Sequence, residues 1–191
     1  MNIRSIVLTS LFAALIATGA YLAIPMAPVP ITLQTFFIIA AGLIGGRKIG
    51  MSAVGIYLIA GAIGLPVFSG GSGGVAHLVG PTGGFIFGAL LSTFIAGIFS
   101  DLARRIPDES TDETTKTSAT LLLIIGGVLA ALAIYLIGLP WLKVTLEFTW
   151  AKTFTVGMIP FLIGDTIKTV AAITLARLFL KRVASFLNKE S

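Results

Sequence analysis

Charged residues interrupt this chain rarely, and the apolar runs between them are long. No Asp, Glu, Lys or Arg occurs from Ser5 to Gly46, from Ile49 to Ser100, or from Thr117 to Leu142. A helix crossing a bilayer needs about 20 predominantly apolar residues, and each run is long enough for at least one. Proline, glycine and charge divide them into six spans, at about residues 3–24, 31–46, 49–67, 84–102, 119–139 and 153–180. The first stops at Pro25, Pro28 and Pro30, and the second at Gly45-Gly46. That second span is short, which implies tilt or a re-entrant neighbour. The pattern predicts an all-α polytopic protein, with residues 1–191 forming a single membrane domain.

Composition sharpens this. Only 11% of residues are charged, against roughly 25% in soluble domains. Cysteine is absent and histidine occurs once, so disulfides, thiolate metal sites and His-based metal centres are excluded. The formal charge of +5 does not point to nucleic acid, because most charges sit at span ends. Arg4, Arg47-Lys48, Arg104-Arg105 and Lys181-Arg182 fall at alternate ends, whereas the opposite ends carry only Lys143, Glu147 and Lys152. By the positive-inside rule both termini and the loops after the second and fourth spans are cytoplasmic, with the chain in the cell membrane. The N-terminal run is too long for a secretory h-region, shows no cleavage pattern, and leads straight into further spans. The polar run 107–118 reads as a solvated cytoplasmic linker.

Candidate chemistry comes from Asp165 and Lys168, inside the last span. A charge at membrane depth is costly, so it faces a cavity, a partner or a ligand. Residues three apart share one helix face, so both side chains reach the same space. They form either polar walls of a binding pocket or a structural ion pair locking the span to a neighbour. With the span starting at Thr153 they lie 12–15 residues in, roughly 18–22 Å along a helix. That depth suits the floor of an outward-opening pocket.

Two outer loops keep apolar character: 25–33, followed by Gln34, and 68–84, with Gly70-Gly71-Ser72-Gly73-Gly74, His77 and Gly80-Pro81-Thr82-Gly83-Gly84. Irregular backbone near a membrane is tolerated where it is buried or lines a cavity, so these loops read as caps over a pocket. The glycine run lacks the Gly-Lys-Ser/Thr ending of a nucleotide-binding loop. Ser72 with His77 raises the remote alternative of an intramembrane serine hydrolase, although no orienting acid accompanies them. In the first span, Ala13 and Ala17 are four apart, and Ser10, Ala14 and Thr18 repeat that spacing on the adjoining stripe. Such stripes let another helix approach closely, inside the bundle or outside it.

The series Pro28-Val29-Pro30-Ile31-Thr32-Leu33-Gln34-Thr35, Gly61-Ala62-Ile63-Gly64-Leu65-Pro66-Val67-Phe68, Gly70 to Gly74, Gly80-Pro81-Thr82-Gly83-Gly84-Phe85 and Gly164-Asp165-Thr166-Ile167-Lys168 resembles the BioY family. These are the biotin-specific substrate-binding (S) components of energy-coupling factor transporters. Nearly the whole chain is covered; the run 107–118 and the fifth span match no signature. The resemblance implies capture of biotin from outside, no enzymatic activity and no cofactor. It also implies two partners, a transmembrane coupling subunit and a pair of cytoplasmic ATPases. It assigns ligand binding to Asp165 and Lys168, with Gln34, Gly73, His77 and Phe161 beside them, and coupling-subunit contact to Ala13 and Ala17. Phe36, Phe68 and Phe85 are further candidates to enclose the apolar part of biotin. Another vitamin as ligand, or a carrier working alone, stays open.

Overall fold

The computed structural model describes residues 2–106 and 113–188. Its helices are α1 (Ile3–Tyr21), α2 (Gln34–Ala62), α3 (Val75–Val79), α4 (Gly83–Arg104), α5 (Glu113–Thr145), α6 (Trp150–Gly157) and α7 (Leu162–Asn188). A two-stranded antiparallel ribbon, β1 (Ala23–Ile24) with β2 (Ile31–Thr32), joins α1 to α2. Among the described residues, five helical stretches are long and apolar enough to cross a membrane.

The α2 stretch supplies two of the six expected spans. At Gly46 the backbone takes φ 76° and ψ 178°, which splits it into arms 34–45 and 47–62. In an unbroken helix residues 41 and 50 would lie about 14 Å apart along the axis. Here a Cβ on Gly50 would sit 3.0 Å from the Ala41 carbonyl oxygen, so the arms fold back side by side. Carbonyls left without helical partners at such a break need other donors. Ser100 Oγ donates to the Leu43 carbonyl at 2.6 Å, and the Arg104 guanidinium donates to that of Ile44.

This hairpin is the centre of the bundle: α2 packs against α1, α4 and α7, and α5 closes the ring against α4 and α7. Its core includes Ile38, Ile39, Leu43, Val54 and Tyr57 together with Ile16, Ala96 and Ala176. Asn2 Nδ2 donates to the Leu187 carbonyl at 3.3 Å and Arg4 Nη1 to that of Phe186 at 3.0 Å, so the two chain ends meet at one end of the bundle. An even number of crossings requires that. Arg47 and Asp101 approach to 4.0 Å at the same end, near the hairpin tip.

Several boundaries differ from the sequence expectation: the third span ends at Ala62 and not at 67, the fifth runs on to Thr145 and the last to Asn188, and two helix starts also move. The last long helix begins at Leu162, not Thr153, because Met158–Phe161 breaks the chain between α6 and α7. Pro160 sits in that break as the second residue of a 3-10 turn, where its missing N–H costs nothing. At the other end α5 starts at Glu113, so residues 113–118 of the expected linker are helical. Residues 107–112 of that linker lie outside the described residues.

Candidate functional site

A cavity of about 910 Å³ opens at the end of the bundle opposite the paired termini. Small-molecule sites run about 300–1,000 Å³. The ribbon loop 25–30 and the α3 region form its rim, and side chains from α2, α4, α5 and α7 form its walls.

Asp165 sits in the first turn of α7, where the helix N-terminus favours negative charge. The break before Leu162 therefore changes its position: the pair lies at the head of α7 and not far along a continuous span. Lys168 Nζ donates to Asp165 Oδ1 at 2.8 Å, with side-chain exposures of 12% and 17%. Tyr135 donates its hydroxyl proton to Asp165 Oδ2 at 2.5 Å, and Thr35 Oγ1 donates to Oδ1 at 3.5 Å. Three helices thus converge on one carboxylate. The ion pair is formed within α7 itself, and its ties to α2 and α5 run through hydroxyl groups. Oδ2 keeps one acceptor position and Lys168 keeps two N–H donors for a further polar group.

Gln34, at the start of α2, lies beside Tyr57 near the end of the second arm, and both line the cavity. Phe161 is buried with Val29 and Leu142, and Phe85 and Tyr135 pack against them edge to face with centroids 6.4 Å apart. Phe85 and Phe161 supply the apolar wall.

His77 projects into the rim from α3 and stacks on Phe68, centroids 5.0 Å apart and planes 17° from parallel. Ser72 Oγ donates to the Ser69 carbonyl at 2.8 Å, so the hydroxyl must accept from His77 Nδ1, 3.0 Å away. That fixes the proton on Nδ1 and leaves Nε2 to accept from Thr82 Oγ1 at 3.4 Å. Burial lowers the imidazole pKa from its ordinary value and keeps the ring neutral. The serine proton points away from the histidine and no carboxylate among the described residues bonds the ring, so this is a clasp holding the loop and not a nucleophile with its base.

Several expected residues lie outside the cavity. Gly73 is not in its wall; a Cβ there would come within 2.4 Å of the Leu65 carbonyl oxygen, so its role is close packing of the loop on the end of α2. Phe68 is fully buried beneath His77, with its ring filling the space that a Cβ on Gly61 would need. Phe36 stacks edge-on with Phe37, 4.9 Å away, and does not reach the cavity. Ala13 faces the protein core and Ala17 is half-buried against it, whereas Ser10, Ala14 and Thr18 are exposed. The small stripe open to an outside helix is therefore the neighbouring one.

Tyr135, Thr35, Thr82 and Tyr57 are cavity residues that the motif reading did not single out. Tyr135 had a signal: it is the one tyrosine in the charge-free stretch 117–142. A buried phenol needs a partner for its polar tip.

Residues 1–185 match the family model described as BioY family. The chain belongs to the BioY family. A "Probable biotin transporter BioY" from Pyrococcus horikoshii is 39% identical over 176 residues, covering 92% of this chain and 96% of that one. The "Biotin transporter BioY" of Thermotoga maritima is 36% identical over 173 residues, covering 91% and 94%. Among solved structures, the S-component for biotin from an ECF-type ABC transporter superposes with a TM-score of 0.79 at 26% identity, covering 95% of this chain and 94% of that one. With its apolar helices, this BioY-family chain is a multi-pass integral protein of the cell membrane, a transporter component and not an enzyme.

Proposed function

We propose that this chain is the substrate-binding membrane component of a biotin uptake transporter. The carrying observation is the Asp165–Lys168–Tyr135 cluster at one pole of a largely apolar cavity of about 910 Å³. Biotin combines a ureido ring, which has N–H donors beside a carbonyl, with an apolar thioether ring and chain. One ureido N–H matches the acceptor position left on Asp165 Oδ2, and Lys168 donates to the ureido oxygen. Phe85 and Phe161 enclose apolar parts of the ligand, Gln34 adds a polar contact from the wall, and His77, whose ring nitrogens are taken by Ser72 and Thr82, presents its ring at the rim. Two donors and one acceptor held three residues apart on a rigid helix suit such a planar group.

The basic residues at the opposite end favour a cytoplasmic location for both termini, which turns the cavity outward. Transport energy then comes from partners, a coupling subunit and two ATPases, since the chain carries no nucleotide-binding motif. The exposed stripe Ser10, Ala14 and Thr18 is the face of α1 best suited to receive the coupling subunit.

Calorimetric titration of biotin into the purified protein, beside riboflavin and thiamin, tests the reading. Saturable binding of biotin alone supports it. Preferential binding of another vitamin transfers the role to that ligand, and uptake into vesicles holding this chain without ATPases would make it an autonomous carrier.

A further inference from the structure

A second cavity, of about 460 Å³, lies between α5 and α7 on the outside of the bundle. Its walls are one stripe of each helix, Ile124, Val128 and Leu132 on α5 and Val170 and Ile173 on α7. They run from Tyr135 and the Lys168-paired Asp165 at the outer end to Arg177 at the inner one. Ile124, Val128, Leu132 and Val170 are all exposed, so the groove faces the bilayer. The three threonines of α7 in its wall, at 166, 169 and 174, donate their hydroxyl protons to the carbonyls four residues back. Their polarity is thereby spent, and between the Tyr135–Asp165 pair at its outer end and Arg177 at its inner end the groove is apolar. Arg177 is the charged group of the inner end. It is an exposed cation at the inner end with no salt-bridge partner among the described residues.

Position decides what such a groove takes. Arg177 lies 15 residues into α7, about 22 Å from Leu162 at 1.5 Å per residue, and therefore in the half of the membrane nearer the paired termini. One leaflet of hydrocarbon is about 15 Å deep, so a tail anchored at Arg177 stays within the groove. No acidic residue occurs on α7 after Asp165, nor on α5 from Thr117 to Thr145. Lys181 and Arg182 continue the positive field one turn further on. We infer that the α5–α7 groove binds an anionic glycerophospholipid, with the headgroup phosphate on Arg177 and one acyl chain along Val128, Leu132 and Val170. Guanidinium matches phosphate geometry with paired N–H donors, and anionic lipid concentrates in the cytoplasmic leaflet.

The test is native mass spectrometry of the intact chain, released from nanodiscs made with equal phosphatidylglycerol and phosphatidylcholine. Wild type should retain one phosphatidylglycerol at least fivefold more often than phosphatidylcholine. Arg177→Gln should abolish that preference and Arg177→Lys should restore most of it. Leu132→Trp, which fills the groove, should lower retention of both lipids. Equal retention of the two lipids by wild type, no lipid retained at all, or an unchanged preference in Arg177→Gln would each overturn the inference. So would displacement of the lipid by millimolar inorganic phosphate, which would mean that an anion site alone is present. Biotin affinity is measured in parallel and should be the same in Arg177→Gln as in wild type.

Discussion

Tyr135 on α5 donates to Asp165 Oδ2 on α7 at 2.5 Å, and this hydrogen bond orients the carboxylate against the cavity. With Lys168 on the other oxygen, the carboxylate is held from both sides. A hydrogen bond to a charged group contributes about 1.5–3 kcal/mol. Tyr135→Phe keeps the ring against Phe85 and removes only that donor. Biotin affinity should fall about tenfold, and the melting temperature should fall by about 3–12 °C. An unchanged dissociation constant would detach Tyr135 from recognition.

Asp165 and Lys168 separate binding from stability in a different way. Removing one partner of a mostly buried pair leaves the other uncompensated, which costs about 3–5 kcal/mol at full burial and less at these exposures. Lys168→Met and Asp165→Asn should each weaken biotin binding by about ten- to a hundredfold, a loss of roughly 1.4–2.7 kcal/mol. Lys168→Met should also lower the melting temperature. The double variant Asp165→Asn/Lys168→Met should recover part of that temperature, because no charge is then stranded, yet it should not recover affinity. Calorimetry and thermal unfolding in the same detergent give both readouts. Recovered affinity in the double variant would make the pair structural only.

The extent to which this site was readable beforehand follows from how a membrane treats each residue type. Charge at depth is costly, so Asp165 and Lys168 stand out in the sequence itself. The hairpin tip was equally visible in Gly45-Gly46-Arg47-Lys48, where glycine meets a cationic end. The break ahead of Leu162 was hidden because hydropathy runs on from Thr153 across it, and only Pro160 interrupts the pattern. The facing of α1 was hidden for another reason. Lipid is as apolar as the core, so a small residue gives no sign whether it is buried like Ala13 or exposed like Ala14. The role of Tyr135 is hidden because its partner lies 30 residues away, and only the fold joins α5 to α7.

His77 links the rim to pH. Burial depresses its folded pKa below the ordinary value of about 6.5. Protonation makes Nε2 a donor, so it can no longer accept from Thr82. For a depressed base, the stabilising preference for the neutral form is fully present above the unfolded pKa. As pH falls below about 6.5 the unfolded chain takes up the proton first and stability declines, until the folded ring also protonates. Melting temperature and biotin affinity should both drop on going from pH 7 to 5 in wild type. In His77→Gln the part of that drop centred on the imidazole should vanish, and an identical pH profile in the variant would exclude His77 as its source.

Gly46 is where the hairpin depends most on a missing side chain. Its φ of 76° with ψ of 178° is a region essentially restricted to glycine. A Cβ would also lie 2.5 Å from Asp101 Oδ1. Gly46→Ala should cost about 1–3 kcal/mol and lower the melting temperature by about 3–10 °C. Gly55, in the second arm, has ordinary helical backbone and nothing within 4 Å of the place a methyl group would occupy. Gly55→Ala should therefore hold or raise the melting temperature, by about 0.5–1 kcal/mol of stability. Equal losses at the two sites would remove the turn as the cause.

The two stripes of α1 make opposite predictions for transport. Ala13 is 9% exposed and belongs to the core, so a larger side chain there must displace its neighbours. Ala13→Leu should cost about 1–3 kcal/mol through overpacking and lower the yield of folded protein. Ala14, between Ser10 and Thr18 on the open face, has room for a larger group in the isolated chain. Ala14→Trp should leave the melting temperature and the biotin dissociation constant of the isolated chain unchanged. It should also block close helix approach, so that ATP-dependent biotin uptake and co-purification with a coupling subunit fall at least tenfold. Uptake that survives Ala14→Trp would move the docking face off this stripe. Loss of binding in the isolated Ala14→Trp chain would show that α1 packs inward there.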